Sequence, residues 1–225
     1  MTKYYSEVMD RGVKIEKLNG FSDVAGTNSP ISSTNFIDSL SDLFYRGRSM
    51  AYGRGEVSMC GHMLQTAELA AEAGAAPSLL VACLLHDVGH FGTDYPLYFN
   101  NESHSHMQTA SQDLHHEEAG AIMLTPFFGP DVIEPIRLHV AAKRYLCATD
   151  PDYAVQLSTT TSHTLGLQGG VLDDAKAEAF LDQPYSNDAV QLRRWDDAAM
   201  IAARSVPGIE HYMDLLEKLL VPSSE

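Results

Sequence analysis

Residues 79–91 read LLVACLLHDVGHF, an apolar run that ends among two histidines and an aspartate. The apolar part predicts a buried helix, and it is far shorter than a membrane span, which takes about 18 or more apolar residues. His86, Asp87 and His90 interrupt the run at positions that should lie in the core. Because buried imidazole and carboxylate groups are costly without partners, the stretch predicts a polar site inside a helical core.

Helical patterns continue on both sides of this stretch. Asn35 can cap the segment FIDSLSDLFYRGRSM, and HMLQTAELAAEAG stops at Gly74, before Pro77 begins the next helix. Residues 92–113 are interpreted as a polar loop or lid. Further helices are predicted for HHEEAGAIML, DVIEPIRLHVAAKRYL, a segment near DYAVQL, residues 172–182, residues 188–204 and IEHYMDLLEKLL. No strand-like alternation persists, so the sequence predicts an all-α fold with short connections between antiparallel neighbours.

The length and composition of the chain favour a single helical domain. Of its 225 residues, 44% are hydrophobic, which is enough for one substantial core. Residues 1–33 mix polar residues with Gly, Ser and Pro without sustained periodicity, and they predict a partly ordered N-terminal extension. Residues 34–225 are expected to form the helical domain.

Charge and cysteine content narrow the classes of partner. Fifteen Lys and Arg face thirty Asp and Glu, and the formal net charge of -15 argues against a nucleic-acid surface. The sequence has no apolar run of spanning length and no signal-peptide pattern, so we expect a soluble cytoplasmic protein without a membrane partner. Three scattered cysteines support neither a disulfide framework nor a zinc ribbon. A small anionic substrate is compatible with this charge, while the oligomeric state is not indicated.

Six polar residues fall within predicted helical segments, next to apolar residues that should face the core: His62, His86, Asp87, His116, His139 and Asp196. Taken singly, each is more often an ordinary core histidine or a capping carboxylate than a ligand. Together they are hard to bury unless they share partners, and metal ions would satisfy them all. One ion can take His86 while the two oxygens of Asp87 bridge to a second ion. Imidazole and carboxylate ligands suit iron, manganese or zinc.

Other histidines near these positions receive different interpretations. His90 lies one turn after His86, where it can meet a bound molecule instead of a metal. His115 competes with its neighbour His116, which the spacing in HHEEAG favours. His104 and His106 in the insertion are interpreted as part of a solvated loop.

The order of these residues, a His, then His-Asp, then a distal Asp, resembles the H…HD…D signature of the HD-domain superfamily, over roughly residues 36–200. The signature residues are His62, His86, Asp87 and Asp196. On its own this resemblance implies a phosphohydrolase as readily as any other activity. Three further stretches, HVAAKRYL, LSTTTSHTLGLQGG and LRRWDD, together with Tyr52, resemble the mixed-valent diiron HD oxygenases, the group of myo-inositol oxygenase and the phosphonate-cleaving oxygenases. The phosphonate-cleaving members are the most similar.

This resemblance implies an HD-type helical bundle around two iron ions in a mixed Fe(II)/Fe(III) state, with O2 as co-substrate. It assigns one iron to His62, His86, Asp87 and Asp196. It assigns the other iron to Asp87, His116 and His139. The positions that resemble the phosphonate-binding set are His90, Lys143, Thr161, Thr164 and Arg193, where Thr161 replaces a Ser with the same hydroxyl group. Tyr52 resembles a tyrosine beside the substrate-binding iron, and the predicted catalytic residues are Tyr52, Asp87 and Lys143.

The implied substrate is a small phosphonate with a hydroxyl group on the carbon bonded to phosphorus. In members that act on 2-amino-1-hydroxyethylphosphonate, a Glu three residues after the tyrosine binds the substrate ammonium. Here that position is Gly55, and Glu56 would point about 100° away on a helix. A trimethylammonium group has no N–H and prefers aromatic faces and diffuse negative charge. We therefore predict (1-hydroxy-2-(trimethylammonio)ethyl)phosphonate as the substrate, with glycine betaine and phosphate as products.

The alternative substrate is the primary amine, which would give glycine and phosphate. A local bulge that returns Glu56 to the pocket would favour it. Candidates for an aromatic wall around a trimethylammonium group are Tyr95, Tyr98, Phe99, Phe44 and Tyr45.

Three other functions fit parts of the pattern. An HD phosphohydrolase would use a metal-activated water and would need no O2. An inositol-type ring-cleaving oxygenase would use the same irons on a polyol, but Lys143 and Arg193 suit an anion better. A regulatory module with a structural HD remnant is disfavoured because every expected ligand is present.

Overall fold

The computed structural model describes residues 35–48, 51–52, 57–91 and 110–222. In these ranges the chain is helical apart from loops and one short antiparallel strand pair, β1 (Ala51–Tyr52) and β2 (Val57–Ser58). The sequence did not predict this pair, because two-residue strands are too short to show an alternating pattern. The all-α prediction is confirmed.

Ten α-helices lie in the part of the chain that the structure describes: α1 (Phe36–Gly47), α2 (Met59–Glu72), α3 (Pro77–Leu85), α4 (His116–Leu124), α5 (Pro130–Thr149), α6 (Pro151–Gln156), α7 (Thr159–Leu167), α8 (Asp174–Leu181), α9 (Ser186–Ala198) and α10 (Met213–Leu219). Two 3-10 helices, Val88–Phe91 and Ile209–Tyr212, follow α3 and precede α10. The longest helix, α5, packs against α3, α4 and α9, while α2 packs against α3 and α9. These five helices enclose the centre of the bundle.

Capping residues and prolines set the ends of several helices. Gly74 has a φ of +70° just beyond α2, a conformation that glycine adopts without strain. Pro77 and Pro130 occupy the first turns of α3 and α5, where a missing N–H costs little. The Ser58 hydroxyl accepts a 3.0 Å hydrogen bond from a backbone N–H in the first turn of α2. Asn35 precedes α1 as predicted, but its side chain does not cap the helix.

The HD stretch forms a corner at the end of α3. Helix α3 stops at Leu85, His86 and Asp87 lie in a turn, and the first 3-10 helix follows. Gly89 allows this corner to approach α4 closely, since a Cβ atom on it would lie 1.9 Å from the carbonyl oxygen of His116. The prediction that His86 and Asp87 lie within a helix is therefore wrong, although both stay in the core.

Two other segments differ from the predicted helices. The sequence did not predict α7, because TTTSHTLGL is rich in β-branched threonines; the Ser158 hydroxyl caps it by accepting from the Thr161 N–H at 3.0 Å. Helix α9 was predicted to reach residue 204 but ends at Ala198. The Gln65 amide explains this early end, because it donates to the Ile201 carbonyl (2.9 Å) and accepts from the Ile201 N–H (3.0 Å).

The main hydrophobic core lies around α1 to α4 and the first half of α5. Its fully buried members include Phe36, Leu43, Met63, Leu84 and Ile136. No described helix combines the length and the apolar character needed to cross a membrane. The boundary predicted between residues 33 and 34 lies outside the described residues, so the N-terminal extension stays a prediction.

Candidate metal centre and adjoining cavity

All six residues that the sequence singled out as metal ligands meet in the centre of the bundle. Their origins are α2 for His62, the corner after α3 for His86 and Asp87, the start of α4 for His116, α5 for His139 and α9 for Asp196. Each is at most 7% exposed. Their potential ligand atoms form two groups that share Asp87.

The first group includes the Oδ2 atom of Asp87. The Nε2 atom of His62 lies 3.2 Å from the Nε2 atom of His86 and 3.6 Å from Asp87 Oδ2. Asp196 Oδ1 lies 3.0 Å from His62 Nε2 and 3.7 Å from His86 Nε2. Ligand atoms about 2.1 Å from one ion and 90° apart are about 3.0 Å apart, so these spacings suit one coordination shell.

The second group includes the other oxygen of Asp87. Asp87 Oδ1 lies 3.4 Å from His116 Nε2 and 3.9 Å from His139 Nε2, and these two nitrogens are 3.1 Å apart. His90 lies beside this group, with its ring stacked on His116 at a centroid distance of 4.1 Å and its Nε2 atom 3.9 Å from Asp87 Oδ1. Asp87 thus presents one oxygen to each group, which is the geometry that a bridging carboxylate needs.

Backbone contacts fix the direction of three of these imidazoles. The Nδ1 atoms of His62, His86 and His139 lie 2.9, 2.9 and 2.7 Å from the backbone carbonyls of Ala199, Cys83 and Ile136. A carbonyl oxygen only accepts hydrogen bonds, so each Nδ1 carries a proton, and in the neutral ring each Nε2 presents a lone pair. The facing lone pairs of His62 and His86 repel one another unless a proton or a metal ion lies between them.

The Oδ2 atom of Asp87 supports the choice of a metal ion. It is buried and has no hydrogen-bond donor among the described residues. Among the described residues, two groups of potential ligand atoms that lie within 4.8 Å of one another contain Asp87: His62, His86 and Asp87, and Asp87, His90 and His116. Fixed nitrogen lone pairs and an unpaired carboxylate oxygen fit a metal centre of nitrogen and oxygen ligands.

The pKa values in the metal centre show that its carboxylates favour positive charge in the first ligand group. Burial opposes charge on His86, but Asp87 and Asp196 outweigh it and raise its pKa to about 10. Burial, with the positive charge of His116, lowers the pKa values of His90 and His139 to about 3, which keeps both rings neutral. Neutral imidazoles beside ionised carboxylates are the forms that bind metal ions.

A cavity of about 530 Å³ opens beside the metal centre. It is lined by five of the six potential ligands, all except the deeply buried His86. It is also lined by every residue of the predicted substrate-binding set: Tyr52, His90, Lys143, Thr161, Thr164 and Arg193. A molecule in this cavity can therefore touch metal-ligand groups and cationic groups at once.

Lys143 is the buried ammonium group of the cavity. It is 2% exposed, and its Nζ atom donates to the Thr164 hydroxyl at 3.3 Å. Burial, together with the charge of Arg193, lowers the pKa of Lys143 to about 8. The ammonium is therefore poorly solvated, and an anion would stabilise it.

Arg193 is already bound by carboxylates. Its Nη1 atom lies 2.7 Å from Asp196 Oδ2, and its Nε and Nη2 atoms bind Asp197. Tyr153 donates its hydroxyl proton to Asp197. The sequence analysis did not identify Asp197 or Tyr153 as members of this network. Asp197 follows Arg193 by four residues, a helical spacing that could have identified it, whereas no motif pointed to Tyr153.

A third polar group, also missed, adjoins the cavity through Asp113. The His115 Nδ1 atom lies 3.2 Å from Asp113 Oδ2 and 3.7 Å from Glu117 Oε1. His115 has a φ of +51° at the start of α4 and directs its ring toward these acids. His116, the next residue, is the one that joins the second ligand group.

The aromatic residues around the cavity are few in the described part of the chain. Tyr52 stacks on the His62 ring at a centroid distance of 4.3 Å, and burial with the charges of Asp87 and Asp196 raises its pKa. Phe44 is buried in the core and Tyr45 is 61% exposed, and neither lines the cavity. The other residues of the specificity hypothesis lie outside the described residues: Gly55, Glu56, Tyr95, Tyr98 and Phe99. The same holds for His104 and His106.

Comparisons with known proteins agree with this centre. Residues 59–169 match the HD domain family. The chain is 41% identical over 164 residues to a hydroxymethylphosphonate dioxygenase of Gimesia maris, a match that covers 73% of this chain and 78% of the relative. It is 33% identical over 192 residues to a (1-hydroxy-2-(trimethylamino)ethyl)phosphonate dioxygenase (glycine-betaine-forming) of Leisingera caerulea, with coverage of 85% and 94%. Both names describe enzymes that use O2 on a 1-hydroxyalkylphosphonate.

Proposed function

This chain is an oxygenase that belongs to the HD-domain family of phosphonate-cleaving oxygenases, and we propose that it oxidises a small 1-hydroxyalkylphosphonate to a carboxylate and phosphate. One observation carries this proposal: the two ligand groups joined by Asp87 open into the same cavity as the buried ammonium of Lys143. The cation suits a phosphonate, and the ligand groups suit metal ions next to the carbon to be oxidised.

We infer that both ligand groups hold iron, in a mixed Fe(II)/Fe(III) state. One iron would be held by His62, His86, Asp87 and Asp196. The other would be held by Asp87, His116 and His139. When bound, the iron pair supplies the redox chemistry that activates O2 and oxidises the carbon bonded to phosphorus. Asp87 keeps the two sites at a fixed separation, and the carbonyl partners of the histidines keep their Nε2 atoms directed at the ions.

In this proposal the phosphonate oxygens occupy the cationic side of the cavity. The ammonium of Lys143 and the hydroxyl of Thr164 donate to these oxygens as charge-assisted hydrogen bonds. Thr161, one turn earlier on α7, and His90 complete the set. Arg193 lines the same cavity and adds positive charge there, although Asp196 and Asp197 bind its guanidinium.

Tyr52 is proposed to cover the ion bound at His62. Its ring lies against the His62 ring, and its raised pKa means that the phenol keeps its proton. A neutral phenol donates a hydrogen bond to a ligand oxygen without adding negative charge to the site. The ring also excludes water from that side of the cavity.

The proposed reaction balances without an added reductant. R–CH(OH)–PO3(2−) and O2 give R–COO(−), HPO4(2−) and H+. One atom of O2 enters the carboxylate and the other replaces the broken bond to phosphorus. With 18O2, one labelled oxygen is therefore expected in each product.

Two substrates are compatible with the loss of an acidic group at Gly55. The trimethylammonium compound needs no N–H acceptor and stays the substrate predicted from the sequence. Hydroxymethylphosphonate, which carries no nitrogen, is a second candidate. The 41% identity to a hydroxymethylphosphonate dioxygenase supports it.

Phosphate release by the iron-loaded protein tests the proposal. The substrates are hydroxymethylphosphonate, (1-hydroxy-2-(trimethylammonio)ethyl)phosphonate and 2-amino-1-hydroxyethylphosphonate, each with and without O2. We expect O2-dependent release, and the fastest substrate identifies the group beyond C1. Anaerobic turnover of a phosphomonoester, without oxidation of any phosphonate, would show a hydrolase instead.

The substitution Gly55→Glu tests the specificity hypothesis. A carboxylate three residues after Tyr52 should accept hydrogen bonds from a primary ammonium and crowd a trimethylammonium group. We expect the ratio of kcat/KM for the primary amine to that for the trimethylated substrate to rise by about tenfold, the effect of one good hydrogen bond to a charged group. An unchanged ratio would show that Gly55 does not face the substrate.

A further inference from the structure

A buried network extends from the potential metal ligand Asp196 to helix α6. Arg193 Nη1 contacts Asp196 Oδ2 at 2.7 Å, while Asp196 Oδ1 faces His62 at 3.0 Å. The Nε and Nη2 atoms of Arg193 bind the two oxygens of Asp197, with Nε 2.9 Å from Oδ2. Tyr153 on α6 donates to the same Oδ2 atom and also accepts a 3.3 Å hydrogen bond from Arg193 Nε.

Spacing along α9 places Arg193 between two acids. Asp196 and Asp197 follow it by three and four residues, so both carboxylates lie over the adjacent turn of the helix. The two-point contact with Asp197 fixes the plane of the guanidinium, as such forks do. With that plane fixed, only the Nη1 edge is directed at Asp196.

This arrangement determines how Asp196 can bind an ion. Its Oδ2 atom is occupied by Arg193, so its Oδ1 atom alone is directed at the first ligand group. Partners that hold a ligand in this way typically change metal affinity by about 10- to 100-fold when they are removed. Tyr153 anchors the network to a second helix, so rotation of the guanidinium would break a contact between α6 and α9.

We propose that Asp197 and Tyr153 are positioning residues that hold Arg193, so that Asp196 binds its metal ion through one oxygen. The inference rests on the metal site of the proposed function and does not depend on the identity of the substrate. It also means that much of the charge of Arg193 is neutralised by the aspartates, which leaves Lys143 as the main cation for a bound phosphonate.

Iron binding by the full-length protein tests this inference. The variants are Asp197→Asn, Tyr153→Phe and the double substitution. Fe(II) affinity is measured by chelator competition, and the two sites are distinguished by their 57Fe Mössbauer doublets. We expect Asp197→Asn to weaken one site by about tenfold or more and to shift one doublet only. Tyr153→Phe should weaken the same site by about fivefold, the effect of one hydrogen bond.

The double variant tests whether the two residues act through Arg193 together. If they do, the loss of affinity in the double variant should be clearly smaller than the product of the two single losses, because both residues hold the same guanidinium and Tyr153 keeps only its 3.3 Å contact with Arg193 Nε once Asp197 is altered. Fully multiplicative losses would show independent effects and would overturn the inference. Tyr153→Phe retains the aromatic ring, so it can be measured even if Asp197→Asn fails to fold.

Asp150→Asn is the matched control. Asp150 Oδ2 accepts a 2.8 Å hydrogen bond from Arg194 Nη2, and this ion pair also connects the start of α6 with α9. Asparagine keeps a side-chain oxygen for the Tyr153 N–H that Asp150 caps, and within the described residues Arg194 forms no hydrogen bond or ion pair with Asp196. Both iron sites should therefore be unchanged. Equal changes in Asp150→Asn and Asp197→Asn would indicate a general packing effect and would overturn the inference.

The remaining outcomes separate this inference from the proposed function. If the unmodified protein binds two irons and Asp197→Asn leaves both affinities and both doublets unchanged, the positioning role is wrong while the proposed function stands. If the unmodified protein binds no metal ion, the metal site is wrong and both fall.

Discussion

The two sides of the cavity differ in how firmly the fold holds them. On the metal side, imidazoles from different elements are buried and tied to backbone carbonyls, as in His62 to Ala199 and His139 to Ile136. The anion side consists of Lys143 and helix α7. Helix α7 has no buried residue, and its contacts include the 3.3 Å hydrogen bond from Lys143 to Thr164. Buried groups cannot move without losing several contacts at once, whereas a helix without a buried face shifts at low cost. We therefore propose a preformed metal centre beside an anion site that tightens when the substrate binds.

Removing the shared carboxylate should produce the largest effect. In Asp87→Asn the bridging charge is lost, so both ligand groups lose affinity for metal. We expect less than one iron per chain and a fall in kcat of about a thousandfold or more, since metal ions contribute several kcal/mol to such reactions. Metal analysis and O2-dependent phosphate release measure the two quantities.

Asp173→Asn provides the control for this change. Asp173 is an exposed acid that caps α8 and pairs with Lys176, remote from the cavity lining. It should retain two irons and full activity. If Asp87→Asn also retains both irons, Asp87 is not a bridging ligand, and the metal side is less dependent on one residue than the geometry indicates.

The substitution Lys143→Met should affect the anion side alone. The methionine keeps most of the apolar stem but removes the buried positive charge. We expect kcat/KM to fall by about 10- to 100-fold, mainly through KM, as for the loss of a charge-assisted hydrogen bond. The iron content should stay at two per chain.

Lys176→Met removes an exposed ammonium and should change neither quantity. Loss of iron from Lys143→Met would contradict the separation of the two sides, because Lys143 would then support the metal centre. An unchanged KM would show that the phosphonate binds elsewhere.

The metal side could be predicted from the sequence, because its signal lies in residue identity. A histidine or aspartate beside apolar residues, as at His62 or Asp196, can be recognised from the sequence as a polar side chain that is buried. Asp87 and His86 were identified correctly as core residues even though they lie in a turn. That turn depends on Gly89 fitting against the backbone of α4, a tertiary contact that no local pattern encodes.

The anion side was harder to predict for physical reasons. Helix α7 was missed because threonines have low helix propensity, and the Ser158 cap gains significance only once the helix is known. Arg193 was expected to be available to the phosphonate, whereas the structure shows its guanidinium shared between Asp196 and Asp197. Whether the guanidinium binds a phosphonate or the two aspartates depends on interatomic distances, which the spacing of residues in the sequence does not give.

The pH dependence should reveal the buried ammonium directly. Lys143 has a pKa lowered to about 8, so it is protonated below that pH and loses its charge as the pH rises through it. We expect kcat/KM, which reports the free enzyme, to fall by about tenfold per pH unit well above 8. Bound phosphonate stabilises the ammonium, so kcat should fall only at higher pH.

Lys143→Arg tests the assignment of this pKa, because a guanidinium stays charged throughout this range. Its kcat/KM should be lower overall but should not fall near pH 8. A fall that persists in this variant would belong to another group.

Thr164→Val should give the smallest change and address the mobility of the anion side. Valine retains the shape of threonine but cannot donate to a phosphonate oxygen, so kcat/KM should fall by about three- to tenfold. Thr159→Val, at the exposed start of α7, should leave kcat/KM unchanged.

Hydrogen exchange provides the second measurement. Without an anion, the amides of α7 should exchange faster than those of α5, and phosphate should slow the exchange of α7 selectively. Because Thr164 forms the contact between α7 and Lys143, this slowing should be weaker in Thr164→Val. If α7 is as protected as α5 before any anion is added, the anion side is as preformed as the metal side, and the proposed contrast between them is wrong.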